Sequence, residues 1–102
     1  MVLEVAISDV KPHEAEQFEA AFRQVQSIIS AMPVYANHQL QRCIEDRNRF
    51  ILLVNWESPE NHTVGFRGSS GYQQWKSLLH DFYDPFPQVQ HYESVAGAPA
   101  SG

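Results

Sequence analysis

The residues best suited to chemistry are concentrated between Asn55 and Trp75. Trp56 closes an apolar run, His62 and Phe66 stand four apart, Arg67 follows, and Tyr72 and Trp75 come three apart after that. An imidazole titrates near neutral pH and can accept a proton. A guanidinium can offset negative charge, and aromatic walls suit a planar ligand. His62, Trp56 and Arg67 are therefore the catalytic candidates, with His62 as the proton-transfer group. Phe66, Tyr72 and Trp75 are candidate substrate-binding walls. The same aromatics would also serve as ordinary core, and His62 as a structural histidine. His38 lies on a strand whose same-face neighbours, Ala36 and Leu40, are apolar, and it joins the substrate-binding candidates. His91, beside Tyr92, suits an interface between copies of the chain. His13 and His80 read as solvent-facing, and Cys43 as a small strand residue without a nucleophile's activation.

Other chemistries lack their signatures. There is no P-loop, no GxGxxG, no His-Glu-x-x-His and no G-x-S-x-G elbow. The five histidines have no metal-ligand spacing, and a single cysteine permits neither an intrachain disulfide nor a cysteine metal framework. No metal and no organic cofactor is expected. Twelve acids against seven scattered bases give a net charge of −5, which repels a phosphate backbone, so nucleic acid is not an expected partner. The longest apolar run, Phe50 to Val54, is far too short for a membrane span, and the first residues lack a signal peptide's basic start. A cytoplasmic protein without membrane contact is the expectation.

The elements that must position these residues follow from periodicity. Val2 to Asp9 alternates, with Leu3, Val5 and Ile7 on one face and Glu4, Ala6 and Ser8 on the other, as in a strand. Phe18, Phe22, Val25, Ile29 and Met32 form one helical stripe, entered through Lys11-Pro12-His13-Glu14 with proline at the first helical position and stopped by Pro33. Val34–Ile44 and Phe50–Trp56 read as a hairpin joined by Glu45-Asp46-Arg47-Asn48. Ser58-Pro59-Glu60 opens a short helix to about Phe66. Gly68-Ser69-Ser70-Gly71 breaks it, a further helix carries Tyr72, Trp75, Leu79 and Phe82, and Val89–Val95 forms a last strand. Residues 1–95 make one domain and 96–102 a loose tail.

The order strand, helix, strand, strand, helix pair, strand predicts a ferredoxin-like split β-α-β domain of the α+β class with an antiparallel sheet. In the third strand Phe50, Leu52, Val54 and Trp56 alternate with Ile51 and Leu53, so both faces need cover. One face can pack on the chain's own helices. A second copy of the chain is the economical cover for the other, and a homodimer is expected.

Trp56-Glu57-Ser58, His62 and Gly65-Phe66-Arg67-x-Ser69-x-x-Tyr72-x-x-Trp75 resemble the antibiotic biosynthesis monooxygenase domain family. The apolar first strand, the helix ending near Met32-Pro33 and Leu40-x-Arg42-x-x-Glu45 fit as well, and the resemblance extends from about Val2 to Val95. It implies a dimeric α/β barrel with two sheets face to face. It also implies a cofactor-independent monooxygenase, an oxidoreductase in which a deprotonated phenol or anthrone reacts with dioxygen in an apolar cavity. Leu52 stands where the antibiotic-pathway oxygenases carry an asparagine, and His62 where some carry a tyrosine. The haem-degrading relatives carry an asparagine on the first strand, a tryptophan on the short helix and a histidine ligand on the next helix; here the first strand has no asparagine, the tryptophan position falls at Gly65 or Phe66 and the ligand position at Trp75 or Lys76, so haem is not expected. The expected substrate is a small aromatic, phenolic or quinone-like compound. Two alternatives are an isomerase or lyase of a small cyclic acid on the same barrel, and a non-catalytic dimer that binds a small hydrophobic molecule.

Overall fold

The computed structural model describes residues 2–57, 69–83 and 87–97. The elements are β1 (Val2–Asp9), α1 (Ala15–Ser30), β2 (Tyr35–Arg42), β3 (Arg49–Trp56), α2 (Ser70–Leu79), a 3₁₀ turn (His80–Phe82) and β4 (Gln88–Glu93). The expected short helix after Trp56, with His62, Phe66 and Arg67, lies outside the described residues. The sheet order is β2-β3-β1-β4 with every neighbouring pair antiparallel, so β3 is inserted between β1 and β2 as the split β-α-β order requires.

Helix α1 forms because its apolar residues recur at helical spacing, and Phe18, Phe22, Val25 and Ile29 are all buried against the sheet. Its start differs from the expectation. Lys11 N–H donates to Phe82 O at 2.8 Å, which ties the chain to the 3₁₀ turn, and His13 takes a left-handed conformation with φ of 69°. Pro12 therefore sits in a turn, Glu14 precedes the helix, and the first helical residue is Ala15. The expected break at Gly68–Gly71 also changes meaning at its described end. Ser69 Oγ accepts from Tyr72 N–H at 3.1 Å and caps α2, so Gly71 falls inside the first turn of that helix. A β-carbon at Gly71 would lie 2.8 Å from Ile28 Cγ2, so the missing side chain permits the close approach of α2 to α1.

Both helices cover one face of the sheet. Phe50, Leu52, Val54 and Trp56 of β3 point into that layer and are buried. Ile51 and Leu53 point the other way, beside Ile7 and Val5 of β1 in register, and stay partly exposed in the single chain. Gln39 and Gln41 of β2 and Gln88 and Gln90 of β4 flank this apolar stripe.

Candidate active site

A cavity lies between the helices and the sheet and offers about 70 Å³ to the centre of a water-sized sphere. Its floor is the buried face of β1, where Glu4, Ala6 and Ser8 project, with Leu40, Leu52 and Val89 from the other strands. Phe18, Phe22 and Ile29 of α1 and Tyr72, Trp75 and Leu79 of α2 form the roof, and His80, Tyr83 and Pro87 complete the wall. The space exists because small side chains on β1 lie beneath large ones on the helices. Ala6 pairs with Leu52 and Ser8 with Phe50 across the strands, so each small residue stands beside a bulky one.

Glu4 is a carboxylate only 6% exposed, and the indole Nε1–H of Trp56 donates to its Oε1 at 2.9 Å. Trp56 is itself fully buried and packs edge-on against Tyr35, with ring centroids 6.2 Å apart. The tryptophan thus holds the glutamate in place from beside the cavity. Tyr83 is held above the ordinary range of a phenol by burial, with the neighbouring Tyr72 adding to the effect. Burial, helped by Lys76 and opposed by Asp81, lowers His80 below the usual imidazole value of 6.5. The Tyr83 and His80 side chains are therefore held neutral at neutral pH, and their rings lie 5.4 Å apart.

A second, more open cleft of about 250 Å³ on the same measure lies between α1 and β2. His38 faces it with Glu19, Arg23, Gln26 and Arg42. His38 Nε2 lies 3.0 Å from Gln26 Oε1, an oxygen that can only accept, which fixes the proton on Nε2. Nδ1 then accepts from the Tyr35 hydroxyl at 2.5 Å. Burial lowers the pKa of this histidine too. Phe22 and Leu40 line both spaces, and the Phe22 ring lies between His38 and Trp75 at centroid distances of 6.0 and 5.6 Å.

The structure therefore divides the sequence candidates. Tyr72 and Trp75 line the inner cavity, Trp56 supports it through Glu4, and His38 belongs to the outer cleft beyond Phe22 rather than to the aromatic cavity. His62, Phe66 and Arg67 lie outside the described residues. His80, expected to face solvent, is part of the cavity wall because the 3₁₀ turn after α2 carries it back toward the sheet. Sequence reasoning passed over Glu4, Ser8 and Tyr83. The available signal was β3: once both of its faces are apolar, the polar side of its neighbour β1 need not be the solvent side.

A four-stranded antiparallel sheet under two helices, with a mixed aromatic and polar cavity between the layers, defines a ferredoxin-like α+β domain. The chain belongs to the antibiotic biosynthesis monooxygenase family, whose model matches residues 1–78. It is 52% identical over 95 residues to the uncharacterised protein YczJ of Bacillus subtilis strain 168, a match covering 93% of this chain and all of that one. A solved Bordetella bronchiseptica structure assigned to the antibiotic biosynthesis monooxygenases is 33% identical, covers 93% of this chain and 97% of its own, and superposes with a TM-score of 0.89. SnoaB, a cofactor-independent oxygenase from Streptomyces nogalater, shares the fold at a TM-score of 0.84 with 15% identity over 97% of each chain. No described helix is long and apolar enough to cross a membrane.

Proposed function

We propose that the chain is a cofactor-independent monooxygenase that oxidises a small aromatic, phenolic or quinone-like compound in the cavity between helices and sheet. The observation that carries this reading is a buried carboxylate set in an aromatic cavity, in a member of this family. The electrons come from the substrate. The chain has to bind the ring, accept a proton and keep bulk water from the reacting carbon. Phe18, Phe22, Tyr72 and Trp75 supply the walls. His62 and Arg67 are the sequence candidates for proton transfer and for balancing negative charge, and Phe66 for a further wall.

Oxygen uptake by purified, metal- and flavin-free protein tests the reading with a panel of anthrones and hydroquinones. One dioxygen should disappear per carbonyl formed. Tight ring binding without any uptake would support a non-catalytic binding protein instead.

The second part of the proposal is a homodimer. The stripe of Val5, Ile7, Ile51 and Leu53 lies on the face that the helices leave uncovered, and its glutamine borders resemble an interface rim. A second copy laid sheet to sheet would bury it and close a barrel. Sedimentation at micromolar concentration should give twice the chain mass of 11.6 kDa; a stable monomer refutes the dimer.

A further inference from the structure

We infer that the outer cleft between α1 and β2 is a second binding site, separate from the inner cavity, and that it takes a small organic monocarboxylate with an apolar body. The inference stands apart from the monooxygenase reading, which concerns the inner cavity alone. On the same measure the outer cleft is the larger of the two spaces, with room for a ring.

Its polar side chains hold one another in a way that engages acceptors and leaves donors over. Gln26 Oε1 accepts from His38 Nε2, and His38 Nδ1 accepts from the Tyr35 hydroxyl. Gln39 Oε1 accepts from Gln41 Nε2 at 2.7 Å. Glu19 is engaged through both oxygens, Oε2 with Arg42 Nη1 at 3.1 Å and Oε1 with Arg23 Nη2 at 3.6 Å. Arg42 Nη2 and Gln26 Nε2 have no partner among the described residues. Guanidinium and amide nitrogens can only donate, so a ligand that satisfies them must bring acceptors. Arg42 is already oriented for that task. Its Nε donates to Arg47 O at 2.6 Å, its Nη1 donates to Glu19, and its guanidinium carbon lies 5.4 Å from the centroid of the Phe50 ring. A guanidinium fixed in this way loses little further freedom when a ligand arrives.

Charge selects among the acceptors. Two guanidinium groups and one carboxylate line the cleft, and burial favours neutral His38, so the lining carries one net positive charge. Glu16 also reaches Arg42, at 3.5 Å, but from an exposed side chain where water screens it. In a chain of net charge −5 this is a local reversal of sign. One negative charge on the ligand balances it, and a second would stand uncompensated beside Glu19. Phe22, Leu40 and Phe50 add apolar surface next to the donors, which suits an organic acid better than inorganic phosphate.

NMR titration of isotope-labelled protein with benzoate tests the site. Benzoate should give saturable shifts of the Gln26 side-chain amide and the Arg42 Nε–H, while benzyl alcohol and inorganic phosphate at the same concentrations should give none. Arg42→Gln should weaken benzoate binding at least about tenfold, the usual worth of a hydrogen bond to a charged group. Ala6→Leu, which puts added methylenes into the inner cavity, should bind benzoate as the wild type does. If Arg42→Gln does not fold, Gln26→Glu takes its place. It keeps an acceptor for His38, removes the amide donor and sets a negative charge beside the ligand, so it should weaken binding by a similar factor. The second site is overturned by an absence of saturable shifts, by equal binding of benzyl alcohol, or by saturation with phosphate in place of benzoate. Loss of benzoate binding in Ala6→Leu, or full binding by the cleft variants, would overturn it as well.

Discussion

The two faces of β1 reverse the usual arrangement of a half-covered strand. A sheet with helices on one side ordinarily turns its apolar residues toward them and its polar residues to solvent. Here Leu3, Val5 and Ile7 face away from the helices, while Glu4, Ala6 and Ser8 lie beneath them and are buried. The helix-facing side gives up apolar area and gains a cavity with a polar group in it. The outward side keeps an apolar surface whose worth is realised only against another surface. The contrast along one strand is between a cavity on one side and an uncovered apolar face on the other.

The largest effects should come from placing a charge on each side of β3. Leu52 is 8% exposed beneath the helices, so Leu52→Asp buries an uncompensated charge and should cost about 3–5 kcal/mol, measured as a loss of midpoint in urea unfolding. Leu53→Asp, one residue away, should instead halve the sedimenting mass and leave a folded monomer of lower stability. If Leu53→Asp sediments with the wild type, the outward face is not an interface and the comparison between the faces collapses.

Trp56→Phe asks how much the buried polar side depends on the indole bond to Glu4. An aromatic ring is kept, but Glu4 loses the indole donor at Oε1, and a lost hydrogen bond to a buried acidic group costs about 1–3 kcal/mol. The double variant with Glu4→Gln should recover part of that loss, since a neutral amide tolerates the missing donor better than a carboxylate. Strict additivity in that thermodynamic cycle would mean that the two groups do not act together.

Much of this architecture was legible in advance because it rests on periodicity. The stripe Phe18, Phe22, Val25 and Ile29 fixed α1 and its buried side, and the alternation through Phe50–Trp56 fixed β3 and its two apolar faces. The site was less legible because a cavity is a property of packing between elements. Nothing local marks Ala6 and Ser8 as floor; they become so through their pairing with Leu52 and Phe50 and their position under α1. His38 and His80 show the same limit. Their sequence neighbourhoods suggested a cavity residue and a solvent residue respectively; the Phe22 ring separates His38, which lines the outer cleft, from the inner cavity, and the 3₁₀ turn brings His80 into that cavity's wall.

Ala6→Leu tests whether the space over β1 is a cavity in the functional sense. Added methylenes in a filled core cost about 1–3 kcal/mol, but here they enter existing space, so the cost should fall at the low end of that range. Binding of 4-nitrophenol should nevertheless be lost. Val5→Leu, one position along on the outward face, should leave that binding unchanged. Retained binding in Ala6→Leu would move the ligand site elsewhere.

The smallest effect concerns pH and separates the two clefts. Burial lowers the pKa of both His38 and His80 below the unfolded value of 6.5. Below 6.5 the unfolded chain therefore takes up protons more readily than the folded one, so stability falls as pH drops toward the folded-state values and levels off beneath them. Two histidines share this slope, one in each cleft. His38→Gln should remove part of it while leaving turnover in the inner cavity unchanged, because His38 reaches Tyr35 and Gln26 but not the cavity beyond Phe22. His80→Gln should remove another part and also disturb the cavity wall beside Tyr83. Urea unfolding at a series of pH values between 5 and 7.5, run on both variants with parallel oxygen-uptake assays, reads the two contributions. A turnover loss in His38→Gln as large as that in His80→Gln would show that the two clefts work as one site.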